Sequence, residues 1–198
     1  MKYDFDKQVN RRGTGSLKWD VPENELPMWV ADMDFETVPQ VKEALAARVA
    51  QGIYGYSILP DEWSRSYVDW WKKRHGLDLD PEKLIFVTGI VPAISSAVRK
   101  LTTPAENVLV QTPTYNIFFN SIYNNGRNIV ENKLLYDGKR YRVDWGKLEE
   151  QLSDPQTTLM ILCNPHNPIG KIWDKETLTR VGELCSKYDV TVLSDEIH

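Results

Sequence analysis

Residues 158 to 198 constrain this chain more than any other stretch. In order they read as an apolar run from Thr158 to Cys163, a loop NPHNPIGK with two Asn-Pro pairs, a polar-apolar stretch after Asp174, and a second apolar run from Val190 to Leu193 that ends in acid. Continuous apolar runs of this length fit strands buried on both faces of a parallel sheet. Between them, Leu178, Val181, Leu184, Cys185 and Tyr188 fall on one stripe of a helix, and Asp174 is placed to cap it. Strand, loop, helix, strand in that order is a parallel crossover, which predicts an α/β fold with a doubly wound, mostly parallel sheet. The polar groups collect where the strands end. Asn164, Asn167 and Gly170 follow the first run, and Ser194, Asp195 and His198 follow the second. Both sets are expected at the crevice where open α/β sheets bind ligands.

Taken singly, Asn167 and Asp195 have ordinary readings, because Asn-Pro is turn chemistry and an acid after a strand often caps a helix. Taken together, N-P-x-N-P-x-G followed by an Asp at the next strand end resembles the class I/II aminotransferase superfamily of fold-type I pyridoxal-phosphate enzymes. The resemblance implies pyridoxal 5'-phosphate as cofactor, with Asn167 hydrogen-bonding its ring hydroxyl and Asp195 pairing with its pyridinium nitrogen. A carboxylate held there keeps the nitrogen protonated, and a protonated ring is an electron sink for a carbanion at the substrate's α-carbon. The commoner aminotransferase pattern has a Tyr at the position of His198. The D-E-I-H form is similar to the cystathionine β-lyase branch, which also includes cystalysin-like enzymes and the maltose-regulon modulator.

Composition sets the outer limits. A chain of 198 residues with 41% hydrophobic content can bury the core of one domain. A net charge of −4 without clustered Lys or Arg argues against nucleic acid or an anionic membrane as the main partner and favours a small molecule. Cys163 and Cys185 belong to no CxxC pair and read as buried thiols of a reducing compartment. His75, His166 and His198 lack metal-ligand spacing, so no metal site is expected. The N-terminus is charged from its second residue and no run is long enough to span a bilayer, which points to the cytoplasm.

Residues 1 to 35 show no clear period, yet Trp19, Met28, Trp29, Val30, Met33 and Phe35 suggest an arm that packs. Its stretch MWVADMDF resembles the entrance loop of the β-lyase branch, which would put Ala31 and Asp32 near the amino-acid substrate; simple packing is the alternative. A core helix is predicted from Thr37, with Val38, Val41, Leu45 and Val49 on one face and Gly52 as its stop. In IYGYS, the resemblance gives Tyr56 the position that reaches the cofactor phosphate of the other subunit, implying at least a homodimer. A second helix is predicted from an Asp61 cap to about His75, with Trp63, Tyr67, Trp70 and Trp71 as core or interface.

LIFV, residues 84 to 87, reads as a short buried strand running into a helix at Thr88, Gly89, Ile90 and Val91. Such a junction aims backbone N–H groups and the positive end of a helix dipole at one spot, which suits an anion. Within the resemblance Gly89, Ile90 and Val91 hold the coenzyme phosphate. A strand from Asn107 to Val110 follows, then Tyr115, whose position in the family belongs to a ring that stacks on the pyridine. Strand and turn structure is expected around the loop DGKR, and Asp144 is placed to cap a short helix with Trp145, Leu148 and Leu152 inward. Neither GxGxxG nor GxxxxGK[ST] occurs, so dinucleotide and P-loop sites find no support.

The expected organisation is residues 1–80 as arm and flanking helices and 81–198 as part of a cofactor-binding large domain. The family's Schiff-base lysine lies past the Asp, and no lysine here matches it; Lys171 sits on the connecting loop. These residues are therefore expected to be the first half of a longer enzyme and inactive alone. The activity implied for the intact protein is carbon–sulfur β-elimination from cystathionine or a cysteine S-conjugate, giving thiol, pyruvate and ammonia. An aminotransferase shares every residue named, and a regulatory protein-binding role is the alternative of another class.

Overall fold

Proline and glycine set the ends of the first helix. The computed structural model describes residues 3–198 and divides the chain into two compact units, Met1–Asp78 and Leu79–His198. In the first unit, helix α1 spans Pro39–Gln51, two residues later than Thr37, because Pro39 supplies a φ ready for the first turn. It stops at Gly52, whose φ of +71° is left-handed and whose N–H reaches the Val49 carbonyl. Helix α2 spans Asp61–His75 and closes on Gly76, also left-handed, with its N–H on the Lys72 carbonyl. Asp61 is the first helical residue and not the cap, a place taken by Pro60. Neither helix is a core helix here. Val41, Leu45 and Val49 on α1 and Tyr67 and Trp70 on α2 are exposed, because no other element of this unit covers those faces.

The second unit begins with a 3-10 turn, Pro81–Lys83, and then departs from expectation. Residues 84–87 form no strand, and Ile85 is 83% exposed. An extended segment becomes a strand only with a hydrogen-bonding neighbour, and the described sheet offers this one none. Helix α3, Ile90–Leu101, follows directly, then strand β1, Asn107–Thr112, helix α4, Ile117–Tyr123, and strand β2, Asn128–Lys133. Strands β3, Leu135–Tyr136, and β4, Tyr141–Arg142, form a hairpin whose turn is held by Asp137 accepting from the N–H groups of Lys139 and Arg140. Helix α5, Trp145–Leu152, is capped by Asp144, and helix α6, Lys175–Lys187, by Asp174, each accepting from a backbone N–H three residues on. Strands β5, Thr157–Cys163, and β6, Thr191–Asp195, flank α6.

The sheet runs β2-β1-β5-β6 and every neighbouring pair is parallel. Side chains alternate across the strands. Val108 and Val110 of β1 with Leu159, Ile161 and Cys163 of β5 pack on Ile94 and Val98 of α3 and Phe118 and Ile122 of α4. Leu109, Met160 and Leu162 point the other way, onto Leu148 and Leu152 of α5 and Val181 and Cys185 of α6. Helices on both faces make the sheet doubly wound. Strand β6 differs from the expectation of burial on both faces, since Val192 is exposed and Leu193 only half-buried. It is an edge strand, and nothing described covers its outer side.

Buried Arg127 ties α3 to the turn before β2. Its guanidinium donates to the Thr102 hydroxyl at 2.8 Å and to the carbonyls of Thr102, Arg99 and Asn125. The Arg99 and Thr102 carbonyls lie at the negative end of α3, where a cation is favoured. Arg127→Met keeps the apolar stem and strips the donors. A loss of about 2 kcal/mol is expected from the carbonyls left unpaired, read as a lower urea midpoint.

Candidate active site

Three neighbouring parallel strands deliver polar residues to one end of the sheet. Tyr115 follows β1, Asn167 follows β5, and Asp195 closes β6, hydrogen-bonded in register with Cys163. The N-terminus of α3 belongs to the same end. Only Thr102–Glu106 separates α3 from the start of β1, and a 12-residue helix of about 18 Å spans roughly the length of a 6-residue strand. The helix must run back along the strand, with Ile90 toward the strand's carboxyl end.

The loop after β5 is knitted to its surroundings. Asn164 donates its N–H to the Asp195 carbonyl at 3.0 Å, and its side-chain oxygen accepts the N–H of Trp173 at 3.0 Å. His166 donates its N–H to the Lys171 carbonyl at 2.7 Å, while Gly170, left-handed at φ +64°, donates to the His166 carbonyl at 2.8 Å. The Cys163 thiol accepts the Asn167 N–H at 3.4 Å. Burial, reinforced by the Asp195 charge and opposed by that N–H, pushes the thiol's pKa up, so Cys163 is a neutral spacer between the two site residues. The backbone of Asn167 is thus fixed, and its side-chain amide has no partner among the described residues.

Asp195 is 8% exposed. One carboxylate oxygen accepts the Ile197 N–H at 3.2 Å, and no Lys, Arg or His pairs with it among the described residues. A nearly buried carboxylate without a cation is costly and calls for a proton-bearing nitrogen from outside the chain. Protonated pyridine is such a donor, and Asn167 offers a free amide beside it. At α3, Ile90 and Val91 present N–H groups with no intrahelical acceptor, and a Cβ on Gly89 would meet only Pro92 Cδ, at 3.5 Å. The end of that helix is open to an anion. The Tyr115 ring lies edge-on to Phe118, with centroids 6.0 Å apart and planes at 84°, which fixes its tilt. The residues present suit a planar, phosphorylated pyridine.

His198 is exposed. Tyr56, Ala31 and Asp32 belong to the first unit, where Tyr56 is fully exposed and Ala31 is exposed. Asp32 pairs with Arg11 at 2.5 Å, and Asp34 gathers Arg11, the buried Lys18 and the Trp19 indole within 2.8 Å. Hydrogen bonds from Lys18, Trp19 and Arg11 hold the Asp34 carboxyl well below the usual range. This charge cluster, invisible as a motif, gives the loop carrying Ala31 and Asp32 its shape. Among the described residues no three His, Cys, Asp or Glu side chains could share a metal, and no helix is long and apolar enough to cross a membrane.

Residues 24–198 match the family Aminotransferase class I and II. The chain belongs to that family. It is 46% identical over 201 residues to a cystathionine beta-lyase, PatB, of Bacillus subtilis, an alignment covering 98% of this chain and 52% of the relative. Cystalysin from Treponema denticola, solved with pyridoxal 5'-phosphate, superposes with a TM-score of 0.91 at 35% identity, over 100% of this chain and 52% of that one. A pyridoxal-phosphate-bound C-S lyase from Staphylococcus hominis gives 0.88 at 32%, with the same coverage. The chain spans about half the length of the curated relatives it matches.

Two residues at the site carried no sequence signal. His166 stands between the two Asn-Pro pairs without metal-ligand spacing to mark it, yet it is 1% exposed at the centre of the loop. Trp173, 4% exposed, packs edge-on against it. A period-two or period-3.6 pattern could not have found either, because both sit in irregular backbone.

Proposed function

We propose that the whole protein is a pyridoxal-phosphate-dependent carbon–sulfur β-lyase. It would act on cystathionine or a cysteine S-conjugate in the cytoplasm and work as a homodimer. The observation that carries the reading is the nearly buried, cation-free carboxylate of Asp195 at the sheet end it shares with Asn167 and the start of α3. Likeness to a cystathionine beta-lyase and to C-S lyases favours elimination over amino transfer.

When bound, pyridoxal phosphate supplies an electron sink for the pair left at the substrate's α-carbon. Asp195 holds a proton at the ring nitrogen, without which the sink is weak. Asn167 donates its amide to the ring hydroxyl, and His198 lines the same side. The N–H groups of Gly89, Ile90 and Val91 take the phosphate with the helix dipole behind them. Tyr115 covers one face of the ring and keeps water from it. Ala31 and Asp32 border the amino acid, and Tyr56 reaches the phosphate site of a second copy. In the overall reaction the α-proton would pass to a base that residues 1–198 do not supply, the Cβ–S bond would break to release thiolate, and hydrolysis of the three-carbon remainder would give pyruvate and ammonia. The family's lysine base matches no lysine here, so residues 1–198 alone are expected to be inactive.

On this reading residues 1–80 are an entrance arm and 81–198 part of the cofactor-binding domain. The exposed faces of α1 and α2, the unpaired segment 84–87 and the open edge at β6 support a larger assembly. The test is incubation of the purified protein with L-cystathionine and no keto acid. Pyruvate and ammonia in equal amounts are expected; reaction only after a keto-acid acceptor is added would make the protein an aminotransferase.

A further inference from the structure

His166 is built into the loop after β5 in a way its neighbours are not. Its Nε2 lies 2.9 Å from the carbonyl oxygen of Pro113, in the loop after β1, and its ring stands edge-on to Trp173 with centroids 5.8 Å apart. A proline carbonyl can only accept. Nε2 must therefore carry the proton, which leaves Nδ1 as a bare acceptor, buried and without a hydrogen-bond partner. Burial, partly offset by the Pro113 carbonyl, lowers the pKa of the ring and keeps it neutral. A buried ring with one satisfied and one orphaned nitrogen costs stability, and the one side-chain bond it makes joins two loops of the site.

Pro113 is two residues before Tyr115, and His166 is one residue before Asn167. Nε2–H···O=C is a side-chain bond between the loop that carries the stacking ring and the loop that carries the free amide. Main-chain bonds to the Lys171 carbonyl and from the Gly170 N–H hold the His166 backbone at the same time. The ring is anchored at its root and reaches across to the neighbouring loop.

We propose that His166 is a positioning residue. Its bond to the Pro113 carbonyl sets the spacing between the Tyr115 ring and the Asn167 amide, so that one cofactor ring is stacked and hydrogen-bonded at once. The proposal rests on the cofactor reading given above.

Two variants separate the donor from mere bulk. His166→Gln can keep an N–H donor near the place of Nε2, whereas His166→Leu keeps similar volume and loses it. Pyridoxal phosphate is titrated into the purified protein, and both the dissociation constant and the absorption maximum of the bound cofactor are read, with the thermal midpoint as a control on folding. His166→Leu is expected to weaken binding roughly tenfold and to shift the absorption maximum, with His166→Gln recovering most of both. Nitrogen-15 NMR of the wild-type histidine is expected to show the Nε2–H tautomer. If wild type and His166→Leu bind alike with one absorption maximum, or if the proton sits on Nδ1, the proposal is overturned and the cofactor reading stands. A wild-type protein that binds no pyridoxal phosphate would overturn both.

Discussion

Asp195→Asn is expected to lower turnover by roughly two to four orders of magnitude while leaving the fold as stable as before or more so. The two halves of that result have one cause. Asp195 is nearly buried and pairs with no cation among the described residues; its one side-chain hydrogen bond there, from the Ile197 N–H, asks only for an acceptor oxygen, so the charge costs desolvation without an ion pair to offset it. Asparagine has the same size and removes that cost. The charge matters only to a protonated ring nitrogen, and losing one partner of such a buried pair costs about 3–5 kcal/mol, where each 1.36 kcal/mol is tenfold in rate. Steady-state kinetics with L-cystathionine and a urea titration of the protein stripped of cofactor measure the two halves, since bound cofactor would add its own stability to the folded state. Unfolding at clearly lower urea with turnover kept within tenfold would make Asp195 a structural residue.

The second large effect lies in the core. Phe118 is fully buried against Ile94, Val98, Val108 and Ile161, and its ring also supports Tyr115 edge-on. Phe118→Ala removes a ring from a packed layer that has no freedom to collapse around the gap, because β1 and β5 are locked in register. A loss of about 3–5 kcal/mol is expected. With a slope near 2 kcal/mol/M that moves the urea midpoint down by roughly 2 M at unchanged slope. Cofactor affinity should fall with it, since Tyr115 loses the surface that sets its tilt. A change below about 1 kcal/mol would mean that the layer is not packed as described.

Much of this was legible in the residues, and the failures have one physical origin. The stripe on α6 and the caps at Asp144 and Asp174 depend on neighbours close in sequence and form as their patterns predict, and the run from Thr158 to Cys163 forms its strand because the sheet supplies a partner on each side. LIFV, the apolar face of α1 and the outer side of β6 are apolar and so read as buried, and none of them is. Burial needs a second surface, and a sequence pattern names the face without naming what covers it. The site divides in the same way. Asn167 and Asp195 were legible because a motif carries them, and the structure places both at one sheet end. His166 was not, since its importance comes from a carbonyl 53 residues away. Nor was the cluster around Asp34, whose partners are gathered from an arm without period.

The most direct test of the site is a crystal structure of the protein with pyridoxal phosphate. The expected result is the ring nitrogen within hydrogen-bonding distance of an Asp195 carboxylate oxygen, the ring hydroxyl on the Asn167 amide, and the phosphate on the N–H groups of Ile90 and Val91. Cofactor density away from the carboxyl ends of β1, β5 and β6, with Asp195 still unpaired, would contradict it.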